Sequence, residues 1–265
     1  MADDDVEYES ESFQIGPHSF SLTTISFMPL EKLLENQSKG VEISGQKVWC
    51  GSVVVSEYML RNPSIVRSKC VVELGSGTGI VGMMCHRLGA GPIFFTDHDA
   101  RSIDNMNIDI VTNNITNCSV HVVDWFQGSH CEILLQEVRL AVATHASDLL
   151  VVAGDVLYKS VLLSPFMRTA KRILMESSSI SSITESTTSS AANTHVPNCQ
   201  LLLCHVPRAG VEQSDVIAAA LEFGLEVSIV EATEWKSGAV IEIIPAEDYE
   251  RAQLYIMQLP RNVPI

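Results

Sequence analysis

Between residues 70 and 230 the chain alternates between two hydrophobic patterns. Short, nearly unbroken apolar runs are followed by longer segments whose apolar positions recur every three or four residues. The short runs predict strands at 70–74, 93–96, 120–123, 149–153 and 200–204. The longer ones predict helices at 80–88, 100–111, 131–144, 161–175 and 214–223, with Gly89 and Gly91 closing the first. An amphipathic helix over 52–61, stopped by Asn62-Pro63, precedes the first strand. Two further strands, 226–230 and 239–244, have no long helix between them and should pair antiparallel at one end of the sheet. Short apolar strands alternating with helices require crossover connections and a sheet buried on both faces. The expected fold is therefore α/β: a doubly wound, mostly parallel, seven-stranded sheet with an antiparallel last strand.

The flanks do not follow this rhythm. Asp3, Asp4, Asp5, Glu7, Glu9 and Glu11 make residues 1–12 an expected disordered acidic tail. Residues 13–48 read as a small N-terminal β extension, with strands at 20–27 and 41–48 and turns at Gly40 and Gly45. The main domain is expected over 49–265. It is interrupted by a Ser/Thr-rich insertion at 176–198, read as a surface loop.

Composition narrows the possible partners. The 265 residues are 46% hydrophobic, which excludes a mainly disordered chain. No apolar stretch is long enough for a membrane span, and the acidic start does not resemble a secretory signal. Against 17 Lys and Arg stand 32 Asp and Glu, a formal net charge of −15. That sign repels phosphate backbones, so nucleic acid is not an expected partner, whereas a basic protein surface is. The seven cysteines lack C-x-x-C spacing, and the histidines lack H-x-x-x-H spacing. No metal site is expected, and the setting should be reducing: the cytoplasm, and the nucleus besides.

The most informative stretch is Glu73-Leu74-Gly75-Ser76-Gly77-Thr78-Gly79, a turn from strand to helix where doubly wound sheets bind ligands. Glycines there let backbone amides approach a ligand closely. The spacing is not that of a dinucleotide fingerprint, and no lysine follows as in a P-loop. Glu73 should oppose a pyrophosphate and favour a ligand with an ammonium group, a character S-adenosylmethionine has. About 20 residues on, Asp97 ends the second strand of the alternating unit and can accept hydrogen bonds from ribose hydroxyls, with Asp99 in reserve. Asp124 and Trp125 end the third, offering an acceptor and a flat face for adenine.

Together with Val48-Trp49 ahead of an amphipathic helix and Gly154-Asp155-Val156-Leu157-Tyr158 after the fourth strand, these motifs resemble the class I S-adenosylmethionine-dependent methyltransferases. More narrowly, they resemble the methyltransferase-like protein-lysine methyltransferases of family 16. The resemblance runs from about residue 49 to the C-terminus. It implies that S-adenosylmethionine is the cofactor and that Trp49 lies near it. It also implies an N-methyltransferase acting on a protein side chain, lysine first, with arginine, histidine, a small molecule or a non-catalytic binding role as alternatives. Asp155 and Tyr158 should border the transferred methyl, Asp155 aligning the incoming amine and Tyr158 walling its channel. An arginine near Arg208 helps organise the active face in that group. A monomer is the expected state.

Overall fold

A computed structural model describes residues 7–27, 44–145, 147–178, 180, 197–236 and 244–260. Nine strands and eight α-helices follow along these residues. They are β1 (Glu7–Ile15), β2 (His18–Phe27), α1 (Cys50–Arg61), β3 (Cys70–Leu74), α2 (Ile80–Arg87), β4 (Ile93–Asp97), α3 (Ala100–Thr112), β5 (Cys118–Val122) and α4 (Cys131–His145). After these come β6 (Leu149–Gly154), α5 (Leu163–Ser178), β7 (Cys199–His205), α6 (Gln213–Glu222), β8 (Glu226–Val230), α7 (Ala232–Trp235), α8 (Ala246–Arg251) and β9 (Gln253–Gln258).

The main sheet has the order β5-β4-β3-β6-β7-β9-β8. Strands β3 to β7 run parallel, and β9 is antiparallel to both β7 and β8. Successive residues of a strand point to opposite faces, so the central strands feed two cores. Val72, Leu74, Val151 and Leu203 pack on one face with α4, α5 and α6. Val71, Leu150, Val152 and Leu202 pack on the other with α1, α2 and α3. Chain order reverses between β3 and β6, which places a crevice beyond their carboxyl ends.

Three expectations are corrected. Residues 7–12 are not a disordered tail: they form most of β1, paired antiparallel with β2. The partner of β2 is thus β1 and not a strand at 41–48. Of that segment, Ser44–Gln46 is a 3-10 turn, and residues 41–43 lie outside the described residues. The seventh strand of the main sheet is β9. The run expected as a strand at 239–244 lies outside the described residues up to 243, and Ile244 belongs to no strand. The physical reason is placement: β9 is inserted between β7 and β8 and presents Leu254 to one core and Tyr255 and Met257 to the other. Most of the Ser/Thr-rich insertion also lies outside the described residues.

Candidate functional site

A cavity of about 470 Å³ opens at the reversal of chain order, within the size range of small-molecule sites. Its floor is the turn after β3. Gly75 and Gly77 adopt positive φ (68° and 53°), and a Cβ on Gly77 would lie 2.8 Å from the Gly45 carbonyl oxygen. A side chain at Gly77 would therefore push the segment before α1 off the turn. Ser76 ties the turn to β4: its amide donates to the Thr96 carbonyl at 2.8 Å, and its Oγ accepts from the Thr96 amide at 3.0 Å.

Asp97 is buried, and its carboxylate organises the floor. Oδ2 accepts from the Gly77 amide at 2.8 Å and Oδ1 from the Asp99 amide at 3.0 Å. Asp99 caps α3, accepting from the Ser102 amide, and also lines the cavity. His98 lies with Nδ1 3.3 Å from Asp97 Oδ1. That hydrogen bond, chiefly, lifts the imidazole pKa above its ordinary value.

One side wall follows β5. Trp125 packs edge-on against Phe166 at 5.1 Å between centroids, which fixes its ring beside Gly75. Asp124 accepts from the Phe126 amide at 2.9 Å and from Gln127 Nε2 at 2.8 Å. Although its partial burial raises the Asp124 pKa, these two bonds, together with the charges of His98 and His130, hold it below its ordinary value.

The opposite wall joins the end of β6 to the start of α1. Gly51 of α1 meets the end of β6 so closely that a Cβ would lie 2.7 Å from Asp155 Cβ. Trp49 precedes α1 and donates from Nε1 to the Ser44 carbonyl at 2.6 Å. Arg208, on the loop after β7, stacks over the Trp49 ring at 5.0 Å and donates to Asp155 Oδ2 at 2.5 Å. Burial raises the Asp155 pKa to about 6, with the Arg208 charge opposing the rise. Tyr158 completes this wall, with its hydroxyl 3.5 Å from Ser44 Oγ.

The cavity thus brings together Trp49, Gly75, Ser76, Gly77, Thr78, Asp97, Asp124, Trp125, Asp155 and Tyr158. Two expected residues do not line it. Gly79 turns into α2 with φ 73°, and a Cβ there would meet Met106. Glu73 is buried beneath the turn on the α2 side of the sheet, where Oε2 accepts from the Gly82 amide at 2.9 Å. Because Gly79 offers no side chain, Glu73 serves as the cap of α2. Burial lifts its pKa to about 8, so the expected electrostatic selection by Glu73 is withdrawn. The acidic lining comes instead from Asp97, Asp99, Asp124 and Asp155.

Sequence reasoning missed Ser44, Gly45 and Lys47, which line the cavity from the segment set aside as an extension. It also missed His98, Phe126 and Lys159. The one available signal was Gly45, read only as a turn.

A central switch-point crevice with a glycine turn and acidic strand ends defines the class: a doubly wound α/β protein built around a nucleoside-sized site. The crystal structure of SMU.776 complexed with SAH shares this fold. Its TM-score is 0.51 at 11% identity, over 95% of this chain and 56% of that one.

The chain belongs to the lysine methyltransferase family, whose model matches residues 30–196. The human electron transfer flavoprotein beta subunit lysine methyltransferase is 34% identical over 110 residues, 42% of this chain and 36% of that protein. The Neurospora crassa protein N-terminal and lysine N-methyltransferase efm7 is 28% identical over 82 residues, 31% of this chain and 28% of that protein. The matched regions span about a third of these curated relatives.

Proposed function

We propose that this protein transfers the methyl group of S-adenosylmethionine to the side-chain amine of a lysine in a protein substrate. The observation that carries the reading is the cavity itself. One end is the glycine turn with Asp97, the other is Asp155 and Tyr158, and both belong to a chain of the lysine methyltransferase family. The lining fits a cationic, phosphate-free nucleoside. Asp97 already takes the Gly77 amide that a phosphate would need, and the strand ends add Asp99, Asp124 and Asp155.

When bound, the cofactor supplies an activated methyl on a sulfonium. Within this reading the residues of the chain bind and orient. The lone pairs of Asp97 not engaged by backbone amides would accept from ribose hydroxyls. Trp125 would offer its ring face to adenine, and Asp124 an acceptor for the exocyclic amine. Asp155, held by Arg208, sets the negative end of the acceptor channel, and Tyr158 offers its ring to an incoming ammonium, worth about 0.5–2 kcal/mol. Catalysis is then chiefly alignment. The net charge of −15 favours a basic acceptor region. The seven free cysteines fit a reducing setting, the cytoplasm or nucleus, which imaging of a tagged chain tests.

The test incubates the protein with methyl-labelled S-adenosylmethionine and cell lysate, then hydrolyses the labelled product. Methyl-lysine is expected, and Asp155→Ala should reduce transfer far more than it weakens S-adenosylhomocysteine binding by calorimetry. Label confined to RNA or small metabolites, or found on arginine or histidine, rejects the lysine reading. No binding of S-adenosylhomocysteine rejects the cofactor.

A further inference from the structure

We propose that Lys159 is itself a methyl acceptor of this site, so that the chain methylates itself in cis. The inference rests on the lysine-directed reading above. Lys159 follows Tyr158 directly and lines the same cavity as Gly154, Asp155 and Tyr158. Its Nζ lies over the Tyr158 ring, 5.2 Å from the centroid, on the wall proposed to receive a substrate ammonium. The backbone of Lys159 is extended (φ −140°, ψ 138°) and enters the 3-10 turn Ser160–Leu162, and the residue is exposed. An unbranched, exposed side chain in this place can swing about its own Cα without moving the sheet.

The other described lysines are less well placed. Lys47 lines the cavity from the segment before Trp49, whereas the ammonium over the Tyr158 ring is that of Lys159. Lys69 lies half-buried just before β3, at the end of the sheet remote from the cavity. Lys236 is paired with Glu250 at 2.7 Å, and Lys171 belongs to α5 outside the lining. A tethered amine has an effective concentration on the order of millimolar, so Lys159 competes with any protein acceptor.

The step balances without a further reagent beyond the cofactor. Ammonium Nζ first loses a proton to solvent. The freed lone pair forms the N–C bond with the sulfonium methyl, and the C–S bonding pair stays on sulfur, leaving the thioether of S-adenosylhomocysteine. A second proton leaves the new methylammonium only if another methyl is added. Because the neutral amine is required, the rate should rise about tenfold per pH unit below the lysine pKa.

The experiment uses the full chain with methyl-labelled S-adenosylmethionine and no other protein, followed by peptide mapping by mass spectrometry. Methyl is expected on Lys159, at a first-order rate independent of protein concentration. Lys159→Arg should lose this label and Lys171→Arg should keep it. A second readout needs no turnover: an amine-acylating reagent should modify Lys159 several-fold more slowly when S-adenosylhomocysteine is bound, with Lys171 unchanged. Label on Lys47 instead, or a rate that grows with protein concentration, overturns the cis assignment. Lysate proteins labelled on lysine while Lys159 stays unmethylated overturns the inference and leaves the proposed function standing. Label on neither overturns both.

Discussion

Asp155 is a buried carboxylate in the wall of the site. Its side chain is 1% exposed, and its φ of 63° is unusual for a residue with a Cβ, which stores strain of about 1–3 kcal/mol. Its counter-charge is Arg208 at 2.5 Å, with Asp248 3.6 Å from the same guanidinium. Arg208→Gln would leave the buried carboxylate without its partner and raise its pKa above the present value of about 6. A carboxyl whose folded pKa is raised binds its proton more tightly in the native state, so its contribution to stability falls as pH climbs from its ordinary value, 3.8, to the folded one. In Arg208→Gln that decline should extend past pH 6, with a loss of up to about 3 kcal/mol at the upper end. Thermal melts of both proteins at pH 5, 6 and 7 read the difference; parallel Tm curves would show that Arg208 does not govern Asp155. Glu73 obeys the same sign over a wider window, from 4.5 to about 8. Glu73→Gln keeps an oxygen for the Gly82 amide and removes the titration. Its melting curve should match the native one near pH 5 and lie above it at pH 9.

At the scale of elements, the N-terminal hairpin is held by two side chains that imitate a strand. Asn113, in the C-cap position of α3, accepts from the Ser21 amide at 2.9 Å and donates to the Ser21 carbonyl at 2.7 Å. Asp109, one turn earlier, accepts from the Thr23 amide at 2.8 Å and from its hydroxyl at 2.7 Å. The edge of β2 is thereby satisfied by a helix face, and Phe20 and Leu22 are buried behind it. Asn113→Ala orphans both backbone groups of Ser21 and should cost about 1–3 kcal/mol. Faster proteolytic cleavage within β1 and β2 would report it, and an unchanged cleavage rate would show that apolar packing alone holds the hairpin. This docking was not legible in the sequence, because Asp109 falls within the helix expected at 100–111 and Asn113 just beyond it, and nothing in the pattern marks either as the partner of a strand. The strands of the main sheet were legible for the opposite reason. Burial on both faces demands continuous apolar residues, so 70–74 could be placed to the residue and 149–153 to within one residue of β6. The acidic residues of β1 misled, since residues 7–12 are exposed on both faces and the buried positions of the strand, Phe13 and Ile15, come only at its end.

On the scale of the whole molecule, the site exists because the chain reverses its order of strands between β3 and β6, and that reversal was readable from the alternation alone. Which acidic group faces the crevice was not. Glu73 and Asp97 lie on neighbouring strands and, because Glu73 pairs with Phe95, on the same face of the sheet; Asp97 stands two residues further towards the carboxyl ends, so it reaches the Gly77 amide while Glu73 stays under α2. The far edge of the sheet poses a related problem of order. β9 comes last in the described sequence yet lies inside the sheet, so β8 has β9 as its strand partner and β7 would become an open edge without it. Leu254, Tyr255 and Met257 are fully buried. Burial of each such side chain contributes roughly 1.5–3 kcal/mol, and the three together rival the entire stability of an ordinary domain, about 5–15 kcal/mol. A chain ending at Ala252 should therefore lose its cooperative unfolding transition and its affinity for S-adenosylhomocysteine together, although no cavity residue has been removed. Near-ultraviolet circular dichroism and calorimetry on the truncated chain test this. Retention of a cooperative melt would mean that β7 can stand as an edge, and that the crevice depends only on β3 to β6 and the helices packed against them.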